Sequence, residues 1–282
     1  MFENDDNHSD AEARVIPRRI FDAHTHAFPD AIATRAMFTL SDKSVLPYFN
    51  DGTFSGLAGY EAAGGAEGFL ILPIATTPRQ TRAVNDWAAA QVGRDGARAF
   101  GSVHPDCEDL GDQLDHIVEL GLPGVKLHPE YQEFAVDEPR MFDVYRALFE
   151  RRLIICFHAG VDIGYAPPVR GNPARIARVC DAFPEGRVIA AHMGGYRMAD
   201  EARQTLLNRP NLWMDTSFSA QEMAPEELRD MIRAHGAERV MFGTDSPWTE
   251  FGESLRAVTE SGLTQTELDL VLYKSAAALL GL

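Results

Sequence analysis

The chain has 282 residues, 45% of them hydrophobic and 24% charged, which is enough to bury a large core without disulfides or a structural metal. Its net charge of −16 repels phosphate backbones and anionic lipid surfaces, which excludes nucleic acid and membranes as partners. No uncharged apolar run reaches the ~18 residues of a membrane span, and the acidic start lacks a signal-peptide apolar region.

Residues 1–17 carry many acids and almost no apolar side chains, so they read as a disordered acidic tail. Residues 18–282 read as one domain. An apolar run over 19–26 opens it. Residues 29–65 follow, where Pro-Asp, Ser-Asp and Asn-Asp-Gly breakers predict a long irregular loop over the mouth of the fold. Further apolar runs occupy 68–75, 98–104, 124–128, 153–158, 187–192, 211–215 and 239–245. Each is short and ends at Gly, Pro or polar residues, as a buried parallel strand should. Amphipathic stretches over 80–91, 111–119, 139–149, 172–183, 197–207 and 225–234 predict the helices between them, and a last helix runs over 266–280. Eight strands alternating with helices predict an α/β fold, the (β/α)8 TIM barrel, with a long first βα loop and an extra C-terminal helix.

Cys107, Cys156 and Cys180 are odd in number and lack CxxC spacing. They imply reduced thiols and a cytoplasmic location. Lysine is scarce: Lys43, Lys126 and Lys274 are the three in the chain.

The placement of the nine histidines is the informative feature. His24, His26, His104, His128, His158 and His192 end predicted strands, and Asp245 ends the eighth. Parallel barrel strands bring their carboxyl ends to one face, so these side chains converge. His24 and His26 are i and i+2, sharing a face on a strand but not on a helix. A lone His-x-His pair is more often a hydrogen-bonded core pair. With Asp22, His158, His192 and Asp245 alongside, a divalent metal becomes the better reading. Zinc is the default for nitrogen and carboxylate ligands, and manganese and iron also suit them.

Asp-Ala-His-Thr-His from Asp22, Phe157-His158-Ala159-Gly160, Ala191-His192-Met193-Gly194-Gly195 and Gly243-Thr244-Asp245-Ser246-Pro247 resemble the amidohydrolase superfamily. The nearest branch is that of metal-dependent TIM-barrel hydrolases and decarboxylases, which includes aminocarboxymuconate-semialdehyde decarboxylase. The motifs occur in family order over nearly the whole chain from Ile20. The resemblance implies that His24, His26, His158 and Asp245 hold one metal ion. It also implies that His192 is the acid/base residue, with Asp245 receiving the proton of a metal-activated water.

Lys126 and His128 share a strand face, and related enzymes with two metals carry a carbamylated lysine on this strand. Either Lys126 bridges two ions in that way, or it stays a cation and binds a substrate carboxylate. The single-ion reading is preferred. Tyr131, Gln132, Arg170 and Trp248 are candidates for substrate contact, Asp215 for orienting a ligand, and Cys156 for the barrel core. His104 reads as structural or pocket-lining, and His116 and His235 read as surface residues on helices. The first functional reading is metal-dependent hydrolysis of a small amide, ester or lactone. The alternative is non-oxidative decarboxylation of an aromatic or unsaturated acid, using the same residues. The partner is a small molecule, with a carboxylate favoured, and a homodimer stays open.

Overall fold

The apolar runs become strands because parallel barrel strands are buried on both faces and need no polar alternation. The computed structural model describes residues 19–282, so the expected tail at 1–17 lies outside the described residues. In chain order the elements are β1 (Phe21–Thr25), α1 (Asp30–Ser44), α2 (Phe54–Gly64), β2 (Gly68–Ile71), α3 (Thr81–Ala89) and β3 (Ala97–Ala99). Next come α4 (Leu110–Glu119), β4 (Gly124–Leu127), α5 (Pro139–Glu150), β5 (Ile154–Phe157), α6 (Pro173–Ala182) and β6 (Val188–Ala190). The chain ends with α7 (Ala199–Thr205), β7 (Leu212–Asp215), α8 (Pro225–His235), β8 (Val240–Met241), α9 (Phe251–Thr259), α10 (Gln265–Asp269) and α11 (Ser275–Leu280).

The strands pair in sequence order as β1-β2-β3 and β4-β5-β6-β7-β8, all parallel. Backbone hydrogen bonds close both seams. Gly101 N–H donates to Gly124 O at 2.8 Å and Lys126 N–H to Gly101 O at 2.8 Å, joining the third strand to the fourth. Ala23 N–H donates to Phe242 O at 2.8 Å and Asp245 N–H to His24 O at 2.9 Å, joining the eighth to the first. This is the expected (β/α)8 barrel.

Alternation along the strands sorts two cores. Val125, Leu127, Ile155, Phe157, Val188, Met214 and Phe242 pack outward against the helices. Phe21, Leu70, Phe100, Ile154, Cys156, Ile189 and Met241 fill the barrel, with Ala276 and Leu279 of α11 in the same cluster. Each fully buried aliphatic or aromatic side chain contributes about 1.5–3 kcal/mol. Among the described residues no helix is long and apolar enough to cross a membrane.

Three expectations need correction. Residues 29–65 connect β1 to β2 over a long path as expected, but mostly as α1 and α2 rather than irregular loop. The last helix is interrupted by a π-helical turn, Leu270–Lys274, between α10 and α11. His235 is fully buried. It sits at the end of α8 on the face of Leu228, Met231 and Ile232, and its Nε2 donates to Leu212 O at 3.0 Å.

Candidate active site

The carboxyl ends of the strands gather the predicted site. On β4, Lys126 shares the inward face with the barrel-filling residues, and His128 follows two residues later. On β5, Ile154 and Cys156 point inward and His158 continues that face. His192 and Asp245 follow their strands with positive φ, 59° and 69°. This left-handed conformation costs a non-glycine residue about 1–3 kcal/mol and gathers at functional sites. On β1 the pairing register shifts between Asp22 and Thr25. His24 therefore reaches the cluster while Asp22 stays outside it. Asp22 instead accepts from His24 N–H (2.9 Å), Thr244 N–H (3.1 Å) and the Thr244 hydroxyl (2.6 Å). Burial pushes its carboxyl up to about 7, and buried Glu61 of α2 is raised likewise by burial and by Asp22.

The hydrogen bonds fix which ring nitrogens are free. His26 Nδ1 lies 2.8 Å from Leu72 O. A carbonyl only accepts, so that nitrogen carries the hydrogen and Nε2 is left bare. His24 Nδ1 donates to Asp215 Oδ2 at 2.9 Å, and His192 Nδ1 to Ser217 O at 3.2 Å. The bare nitrogens of His26 and His24 then face a carboxylate, with Lys126 Nζ as a donor 3.1 Å from His24 Nε2. His26 Nε2 is 3.1 Å and His24 Nε2 3.3 Å from Asp245 Oδ1. His192 Nε2 is 3.0 Å from His158 Nδ1. Lone pairs turned toward a carboxylate at these distances call for a cation between them. The donor set therefore fits a divalent metal. Ligand atoms of His24, His192 and Asp245 lie within 4.8 Å of one another, and His158 Nε2 is buried without a hydrogen-bond partner among the described residues.

Electrostatics keep the cluster ready for a metal, which binds deprotonated ligands. Burial and Lys126 lower His24 to about 4. Burial also lowers His192, and it carries His158 and His128 well below the usual imidazole range with help from neighbouring cations. Burial alone would raise Asp245 and Asp215, but His24 and His192 together with hydrogen bonds from His26 to Asp245 and from His24 and Ser217 to Asp215 outweigh it and hold both below the ordinary carboxylate value. Lys126 is almost fully buried, with Nζ 3.1 Å from His24 Nε2.

A second trio, His128, His158 and Asp162, also has ligand atoms within 4.8 Å. Its two rings stack at 4.2 Å with planes 16° apart. Nearly parallel rings send their in-plane lone pairs side by side rather than to one point, so this trio is a poorer metal cage. Tyr131 extends the stack, 3.9 Å from His128 and 8° from its plane.

These groups line a cavity of about 710 Å³ that includes Tyr131, Trp248, Tyr165 and the inner face of α1. Other candidates fall elsewhere. Arg170 does not line the cavity, and its backbone is tied to Glu130 and Val136. Gln132 is buried, holding Ala75 O and Val103 O, and is structural. His104 is buried away from the cavity, accepting from Asp106 N–H. His116 pairs with Asp86 on the helix side. Cys156 packs in the barrel beside Lys126, as expected.

Sequence reasoning missed Ser217, Asp162, Arg35 and Lys43. Ser217 sits two residues past Asp215, and its hydroxyl lies 3.1 Å from His24 Nδ1 and 2.9 Å from His192 Nδ1. The i, i+2 rule applied to the pair at the end of β1 would have found it. The scarcity of lysine was the available signal for Lys43.

The amidohydrolase profile matches residues 21–282. The chain belongs to the amidohydrolase family. As an amidohydrolase it is a metal-dependent enzyme of hydrolase or carboxy-lyase type. No curated protein matches it by sequence. Among solved structures, an uncharacterised TIM-barrel protein from Bordetella bronchiseptica superposes with a TM-score of 0.75 at 19% identity, covering 93% of this chain and 98% of that one. A 5-carboxyvanillate decarboxylase from Novosphingobium aromaticivorans, complexed with manganese and 4-hydroxy-3-methoxy-5-nitrobenzoic acid, gives 0.68 at 16% identity, covering 94% and 96%. A proposed 2-pyrone-4,6-dicarboxylic acid hydrolase from Pseudomonas putida gives 0.66 at 17%, covering 94% and 98%. At these identities the likeness speaks for the fold of this amidohydrolase.

Proposed function

We propose that the protein is a metal-dependent, non-oxidative decarboxylase of a planar aromatic or unsaturated carboxylic acid. The observation that carries this reading is the position of the imidazole–carboxylate cluster and Lys126 at the base of an aromatic-walled cavity. Such walls fit a flat ring and withdraw the reacting carboxylate from water, and its charge disperses as CO2 departs. The decarboxylase with bound manganese among the structural neighbours favours this over hydrolysis of an amide, ester or lactone, the first reading from sequence. The hydrolase neighbour keeps hydrolysis as the outcome a failed test would point to.

His24, His26, His158 and Asp245 would hold one divalent ion. When bound, the ion supplies Lewis acidity toward a substrate oxygen. Manganese is the first ion to test, then zinc and iron. Lys126 stays uncarbamylated and pairs with the substrate carboxylate, which leaves no bridge for a second ion beside it. Breaking the ring–carboxylate bond releases CO2 and leaves the electron pair on the ring carbon. The proton that this carbon takes up comes from water, relayed by Asp245 or His192. Tyr131 and Trp248 form walls against which the ring packs.

The test is a panel of hydroxylated aromatic acids, with released CO2 and loss of ring-acid absorbance measured together. The expected result is CO2 equal to substrate consumed, lost in Asp245→Asn while the variant stays folded. Consumption of a lactone or ester without CO2 would overturn the reading.

A further inference from the structure

Two of the three lysines of the chain line this one cavity. Lys126 lies at its base, and Lys43 comes from α1 at the mouth, where Arg35 joins it. Acids outnumber basic residues 42 to 26 in the sequence, and many arginines are spent on surface carboxylates, as in Arg233–Glu267 and Arg151–Asp115. Among the described residues, neither Lys43 nor Arg35 has a carboxylate within 4.0 Å. Asp162 lines the cavity beside Lys43, so two cations against this carboxylate leave that edge of the mouth net positive on a molecule that otherwise repels anions.

The helix that carries them is positioned for the task. Ala33 and Met37 are its buried residues, and Met37 lies against Gly52, where an added Cβ would come within 2.6 Å of its side chain. Arg35, Thr39 and Lys43 follow one another at i+4 and all line the cavity with Ile32 and Ala36. Lys43 Nζ sits 3.4 Å from the centroid of the Tyr165 ring and 5.6 Å from that of Tyr131. A cation resting on an aromatic face stays available to an anion at the same edge. The cavity volume of about 710 Å³ leaves room beyond a single ring at the cluster.

We infer that α1 provides a second anion subsite, in which Lys43 and Arg35 take a carboxylate of the substrate remote from the one held at the cluster. The substrate class is then an aromatic dicarboxylate, its ring against Tyr131 and Tyr165. This deepens the decarboxylase reading and rests on it only for the fate of the inner carboxylate.

The experiment is calorimetric binding of non-hydroxylated probes to the manganese-loaded protein. Benzene-1,3-dicarboxylate is compared with 3-carbamoylbenzoate, which has nearly the same shape and one charge fewer. The wild type should prefer the dicarboxylate by about tenfold, the ratio given by ~1.4 kcal/mol. Lys43→Gln should bring the preference down to roughly two- or threefold, Lys43→Arg should restore most of it, and the Lys43→Gln/Arg35→Gln variant should abolish it. Both side chains are exposed, so the variants keep the fold, which circular dichroism checks. A wild type that binds the two probes equally or binds neither overturns the subsite, as does a preference unchanged in the double variant. A charge preference without CO2 release from any aromatic acid sinks the decarboxylase reading alone. CO2 release without a charge preference sinks this subsite alone.

Discussion

At the scale of single residues, the site depends on groups that aim the imidazoles as much as on the imidazoles themselves. Asp215 accepts from His24 Nδ1 (2.9 Å), from His192 N–H (3.1 Å) and from the Ser217 hydroxyl. Asp215→Asn can keep the shape but not the charge that orients the His24 ring. Partners of this kind typically govern metal affinity by about 10–100-fold, so Asp215→Asn should weaken manganese binding by that factor in a metal titration. An unchanged affinity would remove Asp215 from the site. His235 offers a second test, distant from the metal ligands. Burial holds its pKa at about 4, whereas in the unfolded chain it is about 6.5. Between these values the unfolded chain binds a proton that the folded one refuses, so stability falls as pH falls through that window. From pH 7.5 to 5.0 the loss is about 2 kcal/mol. His235→Gln keeps a donor for Leu212 O and should lose about 2 kcal/mol less than wild type over that range in urea unfolding. Equal losses would show that His235 does not titrate in this way.

At the scale of elements, Gly160 shows how two loops hold two catalytic candidates. It has φ +86°, and an added Cβ would lie 2.2 Å from Tyr196 N and 2.5 Å from Gly195 C. The loop after His158 therefore crosses the loop after His192 at a separation only glycine permits. Gly160→Ala should destabilise the fold by about 2–3 kcal/mol or more and weaken metal binding as the two loops part. Gly65→Ala is the control. It has φ +89° but open space around it, and should cost only about 1 kcal/mol with metal binding intact. Equal effects from the two substitutions would deny the crossing a role in the site. The strands were legible because buried parallel strands are continuous apolar runs, and their ends were legible because histidines stop them. α1 was not, since Pro29, Asp30 and the Ser41-Asp42 pair look like breakers, while Ile32 and Phe38 remain exposed and blur its apolar stripe. His235 was readable in retrospect: Leu228, Met231, Ile232 and His235 follow the i, i+3, i+4, i+7 pattern of one buried face. The outward turn of Asp22 was not, because a register shift leaves no trace in the residue pattern.

At the scale of the whole molecule, the proposed metal would sit where the barrel closes. His24 and His26 come from the three-stranded sheet, whereas His158 and Asp245 come from the five-stranded one. The seam between β1 and β8 is thin: β8 spans only Val240–Met241, and the backbone bonds to the first strand come from the residues after it, Phe242, Asp245 and Ser246. A cation held by ligands from both sheets would bind the folded barrel and not the unfolded chain. It would therefore stabilise by mass action, about 2.7 kcal/mol at a hundredfold excess over Kd. For a domain of this size, 1 kcal/mol moves Tm by about 2–4 °C. Stripping the ion with a chelator should lower Tm by roughly 5–10 °C, and restoring manganese should reverse the change. In His24→Ala/His26→Ala the same cycle should leave Tm unmoved, because the two ligands from the first strand are gone. A double variant that keeps the full metal-dependent shift would place the ion elsewhere in the barrel. A wild type indifferent to chelator and manganese alike would mean that Lys126 and the hydrogen bonds at the seam neutralise the cluster without an ion.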